Sequence, residues 1–231
     1  MDFYDIATLA LIPLIILTLI AGVNVRRTFS KYKKLYASSG ITAAQAARLI
    51  LERSGAGDVM IKTCRGSLTD HYDPGNNTVY LSESVYASCS VASIGIAAHE
   101  AGHAIQYARN YAPIRLRGAI VPIVNFASKA SLIFIIAALI FFEATAYSQP
   151  MLIIGICFYA VYTLFTIITL PVELDASRRA KQLLVASGIL TPDENLISSK
   201  VLNAAAMTYV ASMALSILQL LRFIGLLSRR R

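Results

Sequence analysis

Charge is scarce in this chain: Asp, Glu, Lys and Arg make up 15% of its 231 residues, against 56% hydrophobic ones. With a mean hydropathy of +0.61, that ratio excludes an ordinary water-exposed surface and indicates a membrane protein. Acid is the scarcer sign, 13 residues against 21 basic ones, for a net charge of +8. The basic residues flank apolar runs, where orientation in a membrane and contact with anionic lipid require them. No nucleic-acid fold signature accompanies them, so the lipid bilayer is the expected partner and nucleic acid is not. Cysteine is rare too. Cys64, Cys89 and Cys157 have no disulfide spacing, and Cys157 lies inside an apolar run, which leaves reduced thiols as the simple reading. Internal repeats and low-complexity segments are absent.

Four stretches are long enough to cross about 30 Å of hydrocarbon as helices: 6–23, 119–142 (interrupted by Lys129), 151–170 and 201–221. The first is not a cleavable signal peptide in form, since Asp2 and Asp5 lead it and the basic residues crowd its far end. Arg26, Arg27, Lys31, Lys33 and Lys34 follow the first stretch, and Arg109, Arg115 and Arg117 precede the second. The turn 143–150 contains Glu143 but no Lys or Arg, whereas Arg178, Arg179 and Lys181 follow the third. The positive-inside tendency therefore puts the N-terminus outside and the segment after the first span in the cytoplasm. A fourth full crossing would leave Arg229, Arg230 and Arg231 outside, against that tendency. The expected organisation is a mostly α membrane protein with a first transmembrane helix (1–24) and a small cytoplasmic α+β domain (25–117). A hairpin of two transmembrane helices (118–170), a cytoplasmic helix (171–200) and a fourth transmembrane helix with a basic tail (201–231) follow.

Histidine occurs three times, and two of the three fall in His99-Glu100-Ala101-Gly102-His103. Residues four apart share a helix face, so both imidazoles can reach one metal ion. Glu100 sits one step round, placed to take a proton from water. Zinc lowers the pKa of a water it holds to about 7. The stretch 90–109 has no proline, and Ala97, Ala98, Ala101, Gly102 and Ala104 let other backbone pack close.

A third ligand is required, and Glu173 is the choice over His71, Cys64 or Cys89. It follows about twenty uncharged residues, and acid at the end of a membrane segment needs a job or a partner. Pro171 would then open a new helix, with Glu173 in its first turn. Asp175, on another face, orients a histidine or pairs with Arg178 or Arg179. Topology permits Glu173: two crossings separate it from the His pair, so both emerge on one side.

The segments 98–106, Ala-His-Glu-Ala-Gly-His-Ala-Ile-Gln, and 173–180, Glu-Leu-Asp-Ala-Ser-Arg-Arg-Ala, resemble the YugP-type neutral zinc metallopeptidases of bacterial membranes. The segment 70–74, Asp-His-Tyr-Asp-Pro, followed by Val-Tyr-Leu-Ser at 79–82, is similar to that family's approach to its metal helix. The likeness covers nearly the whole chain. It implies a gluzincin-like peptidase embedded in a bacterial inner or plasma membrane, with a zincin-like domain and metal helix in 25–117 and the third metal ligand in 171–200. One Zn2+ per chain would sit on His99, His103 and Glu173, with Glu100 as base. More distant membrane gluzincins carry Glu-x-x-x-Asp as their second motif, the Asp orienting a ligand. Ser177 stands at that position here.

In the cytoplasmic domain, Thr42-Ala-Ala-Gln45 reads as a capping box, and Gly55 and Gly57 end the helix it opens. Strands are expected at 58–64, 69–73 and 78–81, the last two joined by the turn Pro74-Gly75-Asn76-Asn77. A free edge on 78–81 would hold an extended substrate beside the metal. His71 either donates to the oxyanion of the reaction or anchors the 70–73 turn, with Tyr72 and Tyr80 as weaker donors. The leading function is a zinc endopeptidase acting on membrane or membrane-proximal proteins. The alternatives are a non-proteolytic scaffold with a structural or vestigial zinc site and, last, metal transport.

Overall fold

The computed structural model describes residues 3–141 and 145–229; Asp2, Glu143, Arg230 and Arg231 lie outside the described residues. The chain is mostly helical, and its contacts divide it into two compact units. One comprises residues 1–20, 116–170 and 208–231; the other comprises 21–115 and 171–207. The long helices α1 (Phe3–Tyr32), α5 (Ala112–Ile136), α6 (Ser148–Ala186) and α7 (Pro192–Arg229) contribute residues to both.

In the second unit the capping box forms as expected. Gln45 N donates to Thr42 Oγ1 at 3.2 Å and Thr42 N to Gln45 Oε1 at 2.8 Å, which satisfies two amides that open α2 (Ala43–Arg53). Gly55, at φ +75°, supplies the left-handed residue that ends it. A three-stranded sheet follows: β1 (Met60–Cys64), β2 (His71–Asp73) and β3 (Thr78–Ser82), in the order β1-β3-β2. The turn between β2 and β3 uses Asp73, whose Oδ1 accepts from Gly75 N at 2.8 Å, and Asn77 at φ +52°. The free edge expected on 78–81 does not exist. β3 pairs in parallel with β1 and antiparallel with β2, Val79 facing Ile61 on one side and Tyr72 on the other. Val79 and Leu81 are fully buried, and burial on both faces is what draws this apolar strand to the centre. The free edges belong to β1 and β2.

After the short α3 (Glu83–Tyr86), α4 (Val91–Ala108) carries the metal motif. Ser90 caps it, its Oγ accepting from Ser93 N at 3.2 Å. α4 is buried nearly all round, as a helix apolar on every face must be. It packs against α2, α3, β2 and β3, and its Ile94, Ala98 and Ile105 share a core with Leu184, Leu190 and Leu202.

In the first unit, Ile135, Ala138, Leu152 and Ile156 form a small core. Several buried polar side chains there find partners, as hydrocarbon surroundings favour. Ser131 Oγ donates to Gly155 O at 2.9 Å, Thr166 Oγ1 meets Ser216 Oγ at 2.8 Å, and Arg222 donates to Thr8 Oγ1 at 3.1 Å. Elsewhere the helices present bare apolar surface: Ile12 is 57% exposed, Phe126 66% and Ile133 66%. Water would not tolerate so much of it. Among the described residues four helices are long and apolar enough to cross a membrane, one for each of the four runs read from the sequence.

Pro171 departs from expectation. It opens no helix, because α6 runs unbroken through it for 39 residues, as α1 runs through Pro13 and α5 through Pro122. An internal proline removes one helical hydrogen bond, a loss that long apolar helices tolerate where neighbours re-satisfy the backbone. The stretch 171–200 is accordingly the end of α6, a turn with Gly188 at φ +66°, and the start of α7.

Candidate metal centre

Helix α4 sets His99 above His103, and the two rings meet edge to face at 4.7 Å between centroids. The continuation of α6 brings Glu173 against them. His99 Nε2 lies 3.2 Å and His103 Nε2 3.5 Å from the same oxygen, Glu173 Oε2. Ligand atoms of the three residues all fall within 4.8 Å of one another. His103 and Glu173 are buried, and His99 nearly so.

The helices can approach this closely because residue 102 is glycine. A Cβ there would stand 2.8 Å from Ala176 O and 3.3 Å from Ala176 Cα, closer than backbone atoms allow. Ala176 lies between the residues of α6 that reach the two histidines, so this contact sets their register.

Each histidine is held from behind. Ser177 Oγ sits 3.1 Å from His99 Nδ1, so this serine, four residues after Glu173, meets a ligand candidate. His103 Nδ1 lies 3.0 Å from Gln106 Oε1. The Gln106 amide is oriented by its other end, where Nε2 donates to Val172 O and to Asp175 Oδ2, each at 2.9 Å. Asp175 is anchored in turn by Arg178 and by Arg179 Nε at 2.6 Å. Asp175 thus pairs with both arginines and meets His103 only by way of Gln106. Gln106 itself is the residue that sequence reading missed. Its one signal was its place three after His103, on the same helix face.

That chain of hydrogen bonds fixes chemistry. An amide oxygen only accepts, so His103 Nδ1 carries the proton and Nε2 of the neutral ring is a lone pair. This lone pair faces a carboxylate oxygen. Two acceptors in a buried place repel unless a cation lies among them, either a second proton on His103 or a metal ion. Two imidazole nitrogens and one carboxylate oxygen form a donor set that suits zinc.

The protonation behaviour follows. Burial lowers the pKa of His103, but the hydrogen bond to Glu173, the charges of Glu173 and Glu100 and the Gln106 contact outweigh it, and the net shift is upward from 6.5. Burial raises the Glu173 carboxyl, yet contact with both histidines outweighs it and carries the group far below the ordinary carboxylate range. In the metal-free chain, His103 therefore adds stability that is full below its unfolded pKa and lost as pH rises through the raised folded value. Glu173 adds stability above its unfolded pKa that is lost only as pH falls to its depressed value. Metal and proton compete for His103 Nε2, so metal binding must release that proton. Zinc affinity measured calorimetrically should fall on acidification beginning above pH 6.5, while Glu173 stays ionised. Affinity unchanged from about pH 8 to 6 would contradict this assignment.

The remaining residues read from the sequence fall as follows. Glu100 is buried at 8% exposure, next to His99 on α4, and is not one of the three converging groups. His71 is exposed on β2; its Nδ1 donates to Thr69 O at 2.8 Å and its ring stacks on Tyr80 at 5.0 Å. These contacts tie the ring to the residues before β2 and to β3. Tyr72 OH donates to Asn77 Oδ1 at 2.8 Å, and Tyr80 OH accepts from Asn76, so both phenols serve the same turn. Cys64 pairs with Thr69, and no cysteine joins the metal cluster among the described residues.

Residues 7–228 match the family described as "putative neutral zinc metallopeptidase". The chain is also 44% identical over 205 residues, 88% of each protein, to the "Putative membrane protease YugP" of Bacillus subtilis (strain 168). No solved structure matches it. With residues 7–228 matched by that family and 44% identity to the YugP protein over 88% of the chain, the chain belongs to the neutral zinc metallopeptidase family.

Proposed function

We propose that this protein is a membrane-embedded zinc endopeptidase, with His99, His103 and Glu173 holding one metal ion and Glu100 acting as general base. The observation that carries the reading is the convergence of two Nε2 atoms on Glu173 Oε2, with Glu100 beside them on the same helix. A zinc ion held there supplies a Lewis acid that polarises a carbonyl and acidifies water. The Glu100 carboxylate takes the proton of the attacking water and delivers it to the departing amine. Ser177 and the Gln106–Asp175 pair keep the imidazoles oriented through the cycle. The free edge of β2, on a strand packed against α4, offers backbone groups to an extended substrate.

The charges around the apolar runs support a site on the cytoplasmic side of a bacterial plasma membrane, with the N-terminus outside. Substrates are then membrane or membrane-proximal proteins, whose confinement raises their local concentration. The test is hydrolysis of labelled casein by the detergent-purified chain. Activity should disappear after chelation and return with about one equivalent of zinc. Hydrolysis that survives complete removal of the metal would overturn the reading.

A further inference from the structure

Away from the metal centre, a groove of about 550 Å³ opens between the final turns of α1 and the middle of α7. Arg27 and Lys31 line one wall and Lys200 the other, and no lining residue is acidic. Among the described residues none of these three cations has a carboxylate within ion-pair distance. Lys31 Nζ and Lys200 Nζ lie 5.2 and 5.9 Å from the centroid of the same Tyr32 ring, itself part of the groove wall. A fourth cation stands at the rim, where Lys181 Nζ donates to Asn203 Oδ1 at 2.8 Å. That bond occupies the Asn203 carbonyl and leaves its amide N–H groups as donors.

Like charges gathered without a counter-charge repel, and an anion among them relieves the repulsion. A guanidinium fork, two ammoniums and an amide donor match the tetrahedral oxygens of a phosphate. The position of the groove says which phosphate. Both helices lose all charge on leaving it: residues 6–23 before the groove on α1 and 201–221 along α7 contain no Asp, Glu, Lys or Arg. The groove is therefore at the polar end of two membrane-length apolar stretches, and Ala204 and Met207 continue its wall into the apolar part of α7. A ligand that fits has an anionic head and an apolar tail. We propose that this groove binds the phosphodiester headgroup of an anionic phospholipid.

The experiment titrates the full-length chain in neutral detergent with short-chain phosphatidylglycerol, short-chain phosphatidylcholine and inorganic phosphate, and follows bound ligand by native mass spectrometry. Two doubly substituted proteins are compared, Arg27→Gln with Lys200→Gln in the groove and Lys33→Gln with Lys34→Gln outside it. Each loses two charges from exposed positions, so folding is not at stake. Phosphatidylglycerol should saturate at about one per chain, and the groove pair should weaken it roughly tenfold or more, while the control pair changes it less than about twofold. Equal weakening by both pairs would overturn the proposal in favour of diffuse surface charge. Inorganic phosphate binding as tightly as the lipid would overturn the lipid assignment in favour of a soluble anion, and unsaturable binding would overturn the site altogether.

Discussion

Replacement of Glu100 by Gln is expected to lower peptide hydrolysis by about 10²–10⁴-fold while zinc stays bound. The side chain keeps its size, and Glu100 is not among the three groups that converge, so neither packing nor the donor set is disturbed. What disappears is a carboxylate able to accept a proton from water and return it to the amine. A second effect has the opposite sense. The Glu100 charge helps to hold the proton on His103, so its removal lowers the His103 pKa and lets metal bind at more acidic pH. Turnover measured beside metal content separates the two. Activity within a few-fold of wild type would deny Glu100 its role, and loss of zinc would make it a structural residue.

Gly102→Val is expected to be the most damaging single change outside the charged groups. Its Cβ would meet the backbone of Ala176 at 2.8 Å, and backbone cannot rotate away as a flexible side chain can. α4 and the end of α6 must separate, which moves Glu173 and Ser177 away from His99 and His103. Overpacking of this kind costs about 1–3 kcal/mol, and a displacement of 1 Å at a catalytic centre can cost about 10²-fold in rate. Thermal unfolding and zinc titration should both register the change, with Gly102→Ala showing the same signs at smaller size. Wild-type zinc affinity in Gly102→Val would mean that the helices approach for some other reason.

Much of this architecture is legible in residues whose effects are local. Thr42 and Gln45 cap α2, Ser90 starts α4, and uncharged runs of membrane length become helices, because each signal acts within a turn or along one helix. The four-residue spacing of His99 and His103 works in the same way. What escaped was set by distant neighbours. The sequence around Pro171 looks like a helix start, yet apolar sequence before it and helix-forming residues after it carry α6 straight through. The strand 78–81 has a plain pattern, but only the arrival of β1 in parallel on its far side shows that it is central. Gln106 is polar on a buried helix and reads as unremarkable until Asp175 and Val172 come from α6 to orient it. Ser177 is one small polar residue on a long helix, and only its 3.1 Å distance from His99 Nδ1 shows which ring it meets.

The central claim is that one metal ion is held by His99, His103 and Glu173, and elemental analysis of the purified wild type beside Glu173→Ala tests it most directly. About one zinc per wild-type chain, largely lost from a variant that remains folded, is the predicted result. Full retention of zinc by Glu173→Ala, or a wild type that takes up none after reconstitution, would contradict it.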